Sequence, residues 1–114
     1  MSFRIRISRR AVRDIEQVLA HTMRQFGPRQ YERYKPLIRD ALADIAADPV
    51  ASPAKHRPEI RSDARTFHIS REGKHAGHFF LYRVVEDRFV DIGRLLHDSM
   101  EVRQHLPESF AEPD

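Results

Sequence analysis

Histidine and arginine together are what a metal-independent RNA-cleaving centre needs. Imidazole moves a proton near neutral pH, and guanidinium stabilises charge on a phosphorane. This chain holds both in its second half: Arg61, Arg65, His68, Lys74, His78, Tyr82, Arg83, Arg94 and His97. For most of them a structural role outweighs a catalytic one. His68 and His78 lie in strand-like segments whose alternation can point them to solvent. Tyr82 suits an amphipathic core position. His97 ends a strand before a capped helix, where an imidazole often serves as a structural hydrogen-bonding group. Seven histidines stand at 21, 56, 68, 75, 78, 97 and 105, but without an H-E-x-x-H or a carboxylate-rich loop. No metal or cofactor is expected. There is no P-loop, no G-x-G-x-x-G after the first strand and no G-x-S-x-G. The absence of cysteine removes thiolate chemistry and disulfides.

The elements that must position these residues follow from periodicity. Phe3, Ile5 and Ile7 alternate with Arg4 and Arg6, as in a half-buried strand. Ser8 can cap the helix that follows. Ala11, Ile15, Val18, Leu19, Thr22 and Phe26 form its buried stripe. Gly27 ends that helix, and Pro28 opens a second one with a stripe of Tyr31, Tyr34, Ile38, Ala41, Leu42 and Ile45. So tight a turn predicts an antiparallel helical hairpin. Pro36 lies inside the second helix and predicts a kink, or a break into 28–35 and 36–47. The kink is favoured because the stripe keeps its phase. Asp48-Pro49 stops the helix, and residues 49–64 read as a loop. Three strands then follow at Arg65–Ile69, His78–Val85 and Phe89–His97, with turns within Arg71–Gly77 and at Glu86-Asp87. Asp98 and Glu101 form a capping box for a short last helix that Pro107 ends. The expected fold is α+β: an N-terminal strand, a helical hairpin, a three-stranded antiparallel meander and a short C-terminal helix. Residues 1–107 read as one domain and 108–114 as a frayed polar tail.

The charge is uneven. Residues 1–39 hold ten Lys/Arg against three Asp/Glu, and residues 40–114 hold ten against fourteen. A basic half suits nucleic acid or an acidic protein partner, although solvated helix faces give the same composition. The opening residues have no apolar run of signal-peptide length, and no segment approaches a membrane span. A soluble, cytoplasmic protein without a membrane partner is expected.

Several stretches resemble one family in order and spacing. Ser8-Arg9-Arg10-Ala11-Val12-Arg13-Asp14-Ile15 is similar to its opening. Phe26-Gly27 with Tyr31 and Arg33-Tyr34 is similar to its inter-helix turn, and Ala46-Ala47-Asp48-Pro49 to the end of its second helix. Tyr82-Arg83-Val84 matches its central strand. Ile92-Gly93-Arg94-Leu95-Leu96-His97, then Met100-Glu101 and His105-Leu106, match its closing block. From Phe3 to Leu106 the chain resembles the ParE branch of the ParE/RelE toxin superfamily of toxin–antitoxin pairs. The resemblance implies a sheet curling around the helical hairpin. It also implies a cognate antitoxin, ParD-like and of ribbon-helix-helix type, whose tail wraps the toxin. The basic arginines Arg4, Arg6, Arg9, Arg10, Arg13 and Arg33 would give an acidic tail its handhold. ParE-like members poison DNA gyrase without a catalytic residue, whereas RelE-like members cut mRNA on the ribosome. His97-Asp98-Ser99-Met100-Glu101 stands where the ribonuclease branch usually carries more basic residues, which favours gyrase. Under the ribonuclease alternative, Arg65, Arg94 and His97 would be catalytic. A third reading is a degenerate member that only binds its antitoxin.

Overall fold

A helix broken at one glycine packs on a five-stranded sheet. The computed structural model describes residues 2–51, 53–70 and 77–98. In chain order these hold β1 (Arg4–Ile7), α1 (Arg9–Ala47), β2 (Lys55–His56), β3 (Arg65–His68), β4 (His78–Val85) and β5 (Phe89–His97). The sheet order is β1-β5-β4-β3-β2. β1 runs parallel to β5, and the other neighbours are antiparallel. The architecture is mixed α+β. The expected helix from Asp98, the turn at 71–76 and the tail at 108–114 lie outside the described residues, as do Lys74, His75 and His105.

Ser8 starts the helix as expected: its Oγ accepts the Ala11 amide at 3.0 Å and donates to the Gly93 carbonyl at 3.0 Å. One hydroxyl therefore caps α1 and ties it to β5. At Gly27 the backbone leaves helical geometry, with φ 85° and ψ −179°. A side chain there would be strained, which is why glycine stands at the break. The backbone stays helical through Pro36, so the break into 28–35 and 36–47 does not occur. Pro36 cannot donate to the Glu32 carbonyl, but Glu32 is exposed and water can fill that role. On the opposite side Leu37, Ile38, Ala41 and Ile45 remain in register and buried. Packing by that stripe outweighs the one lost bond.

Both arms of α1 feed one core. Ala11, Leu37, Ile38, Ala41 and Ile45 pack with Phe67, Ile69, Phe80, Tyr82, Val90, Ile92 and Leu95. Full burial of a side chain of Phe or Ile size stabilises by about 1.5–3 kcal/mol. Phe26 departs from its expected place in the stripe. It is 64% exposed, because the helix ends one residue later. The loop at 49–64 also contains more order than expected: Lys55 and His56 pair with Thr66 and Arg65. Two residues carry too little alternation to announce a strand.

β4 and β5 are joined at Glu86 and Asp87, whose φ values are 56° and 51°. Two left-handed central residues give the hairpin turn whose twist matches its strands. Farther along, Leu81 pairs with Arg94 but Tyr82 pairs with Ile92, so Gly93 is an extra residue in β5. This bulge switches the parity of the strand. Val90 and Ile92 face the helices before it, and Leu95 does so after it.

Candidate functional site

The first polar feature of the helix–sheet junction is a closed ion pair. Asp14 sits inside the apolar stripe of α1 and is buried. Arg94, just past the bulge, meets it with Nε at 2.8 Å and a terminal nitrogen at 3.1 Å. The Leu95 amide donates to the same carboxylate at 3.0 Å. Arg10 approaches from the rim at 4.0 Å. A two-pronged contact with these extra donors suits a carboxylate held out of water. Arg94 is thereby committed to positioning α1 on β5.

Beyond this pair lies a cleft of about 400 Å³, lined by His21, Thr22, Phe26, Gln30, Tyr34, Gly77, His78 and His97. A second depression of about 280 Å³ shares His21, His78 and His97 with it and reaches Arg10 and Gln17. Residues on both sides of the break at Gly27 line the cleft.

Its chemistry centres on His78. The Tyr34 hydroxyl lies 2.5 Å from His78 Nδ1. Burial pushes Tyr34 up to about 12, with Asp98 adding to the rise. Tyr34 therefore keeps its proton and donates it, leaving His78 with the proton on Nε2. Burial and the neighbouring His97 lower His78 to about 4, so its ring is neutral at physiological pH. The His97 ring stands edge-on to it at 5.0 Å between centroids. His97 also covers Gly77: a Cβ there would meet Nε2 at 2.9 Å. Nearby, the Ser70 amide donates to His68 Nδ1 at 3.3 Å, which leaves His68 Nε2–H for Asp98 at 2.9 Å. Among the described residues no group of His, Asp and Glu is arranged to hold a metal ion.

Arg65, Arg94 and His97 do not form one centre. Arg65 pairs with Tyr82, and His97 with His78, four residues away along β4. That separation is about 13 Å of strand. Arg94 lies between them but is closed against Asp14. Tyr82 is fully buried, and its hydroxyl donates to the Pro49 carbonyl at 2.8 Å, with burial raising its pKa. Arg83 is tied to Asp63 and Asp91. Sequence reasoning missed the Tyr34–His78 bond and the Asp14 pair. The one available signal was a carboxylate at Asp14 among apolar stripe positions.

The arginines expected to meet an acidic partner divide in two. Arg6 makes a two-pronged pair with the buried Asp91, at 2.5 and 3.0 Å, and stacks over Phe89. It belongs to the fold. Arg4, Arg9, Arg10, Arg13 and Arg33 are exposed. Four of these five lie on β1 and the first arm of α1, while Arg33 lies on the second arm and reaches Gln30 at 3.4 Å.

A family model described as the ParE toxin of the type II toxin–antitoxin system, parDE, matches residues 5–102. No curated protein matches the chain. Among the described residues no helix is long and apolar enough to cross a membrane.

Proposed function

This chain belongs to the ParE toxin family of type II toxin–antitoxin systems, and from that premise we propose that it inhibits DNA gyrase and is neutralised by a cognate ribbon-helix-helix antitoxin. The observation that carries this reading is the family match across both helical arms and the sheet. The separation of Arg65 from His97 and the closure of Arg94 on Asp14 support binding over phosphoryl chemistry. The antitoxin is drawn to Arg4, Arg9, Arg10, Arg13 and Arg33 by charge, and the inhibitor acts in the cytoplasm, where gyrase works. Expressed alone, the chain should arrest growth with DNA-damage signalling, and the product of an adjacent antitoxin frame should relieve the arrest. Normal growth with soluble toxin present would contradict the reading. Neutralisation driven by charge should also weaken with salt, since exposed charges are screened over roughly 8 Å at physiological ionic strength.

One observation keeps a second reading open. His97, His78 and Tyr34 share a cleft and could move protons. A ribosome-dependent endoribonuclease would use His97 there, with Arg65 as a more remote contact to RNA.

A further inference from the structure

One end of the sheet carries a hydroxyl, an imidazole and a carboxylate in series. β3 ends at His68, and the fully buried Ile69 follows it into the core. The Ile69 amide donates to the His78 carbonyl at 3.1 Å, which holds this stretch against β4. His68 and Ser70 flank that buried residue and, two positions apart, share the other side of the chain. Ser70 Oγ lies 2.9 Å from His68 Nδ1. Asp98 arrives from the far side of β4, directly after β5. Its amide donates to the Gly77 carbonyl at 2.8 Å, which fixes its backbone. Both of its carboxylate oxygens lie 2.9 Å from His68 Nε2.

The donors set the proton positions. The Ser70 amide also points at Nδ1, at 3.3 Å. An amide can only donate, so Nδ1 carries the lone pair and Nε2–H faces the carboxylate. Nδ1 is then placed to take the Ser70 hydroxyl proton, and Asp98 holds the ring in that tautomer. A hydroxyl on a base that a third group orients is the arrangement that activates a serine. It is defined by geometry and roles, so it needs no G-x-S-x-G. A serine beside a histidine two residues away is commonly just a local hydrogen bond. The carboxylate on the opposite ring nitrogen, thirty residues away in sequence, sets this one apart. The His68 side chain is 37% exposed and that of Asp98 51%, so a substrate can reach the group from solvent.

We propose that Ser70 is a nucleophile that accepts the acyl group of an activated ester, with His68 as its base and Asp98 as a positioning residue. The proposal is independent of the gyrase reading, which uses none of the three. Oγ bonds to the ester carbonyl carbon as its proton passes to Nδ1, and the carbonyl π pair moves onto oxygen. That pair returns as the bond to the leaving oxygen breaks, and the leaving group takes the proton from Nδ1. Water then attacks acyl-Ser70 in the same way, giving the free acid and restoring the hydroxyl. The Ser70 amide points at the ring, so it does not supply the oxyanion contact that a nucleophile's own amide can give. The substrate is therefore an ester with a good leaving group, such as a phenyl ester, and not an amide.

The test uses the full chain with an alkyl fluorophosphonate and with p-nitrophenyl acetate. The fluorophosphonate loses fluoride as Oγ bonds to phosphorus, and peptide mass spectrometry locates the label. The wild type should carry the label on Ser70 and release a burst of nitrophenolate before steady turnover. His68→Gln should slow labelling by about 10²-fold or more. Asp98→Asn should lower the maximum labelling rate without moving the probe concentration that gives half of it, and Asp98→Glu should restore part of the rate. Circular dichroism checks that each variant is folded. Absence of the label from Ser70 of the wild type overturns the proposal, whatever the variants do. Label on a histidine or tyrosine in place of Ser70 does the same. Labelling of folded His68→Gln as fast as the wild type also overturns it, since Ser70 would then be an ordinary surface hydroxyl.

Discussion

The two sides of the first arm of α1 use arginine in opposite ways. Toward the sheet, Arg94 is buried against Asp14 with a backbone amide sharing the carboxylate. Toward solvent, Arg9, Arg13 and Arg24 stand exposed. The inner pair fixes where the helix sits. The outer set places positive charge on the solvent side of the same arm. The same division recurs on β1, where Arg6 is locked to Asp91 and Arg4 is exposed. Residue type alone does not separate a buried arginine from an exposed one; a two-pronged contact with a buried carboxylate does.

The largest effect should come from breaking the inner side. Asp14→Ala leaves Arg94 without its main counter-ion and should cost about 3–5 kcal/mol in urea unfolding. Replacing both partners, Asp14→Leu with Arg94→Met, should recover much of that loss. A cost below about 1 kcal/mol for Asp14→Ala would show that the pair does not position the helix.

Next is the pH response of the cleft that both arms enclose. His78 titrates near 4 in the fold against its ordinary 6.5. Between those values the unfolded chain binds more protons, so the stability His78 contributes is intact above 6.5 and is lost as pH falls toward 4. His78→Gln should flatten the stability–pH curve in that window relative to wild type. An unchanged slope would mean the ring is not held neutral.

Pro36→Ala should keep the fold and stabilise it by up to about 1 kcal/mol, because the helix already runs through that position. Strong destabilisation would show that proline is needed there. The smallest stability effect belongs to the outer side. Arg4→Glu with Arg13→Glu should change unfolding by no more than about 0.5 kcal/mol. Neutralisation by the antitoxin should nevertheless fall, and a large stability loss would move these arginines to the fold side of the comparison.

Local pattern made much of the fold legible. Ser8 before a helical stripe, Gly27 before Pro28, and alternation ending at Glu86-Asp87 each name a boundary on their own. What was not legible depends on distant partners. Asp14 and Arg94 are eighty residues apart, and the Gly93 bulge that turns β5 between them leaves no periodic mark. Phe26 continued the stripe in sequence, yet the helix stopped before it could be covered. Pro36 looked disruptive because the proline rule is local, whereas the stripe that overrides it spans the whole second arm. The Tyr34–His78 bond joins two elements whose proximity only the tertiary fold supplies.

On the proposed function this chain acts by binding gyrase, with no proton-transferring residue required. Purified wild type and a folded His97→Ala variant should be assayed side by side for inhibition of DNA supercoiling by gyrase and for cutting of ribosome-bound mRNA. Both proteins should inhibit supercoiling and trap gyrase–DNA complexes, and neither should cut mRNA. Codon-phased cleavage by the wild type that disappears in His97→Ala, with a loss of the about 10²–10⁴-fold that a general acid or base supplies, would contradict the claim and make His97 catalytic.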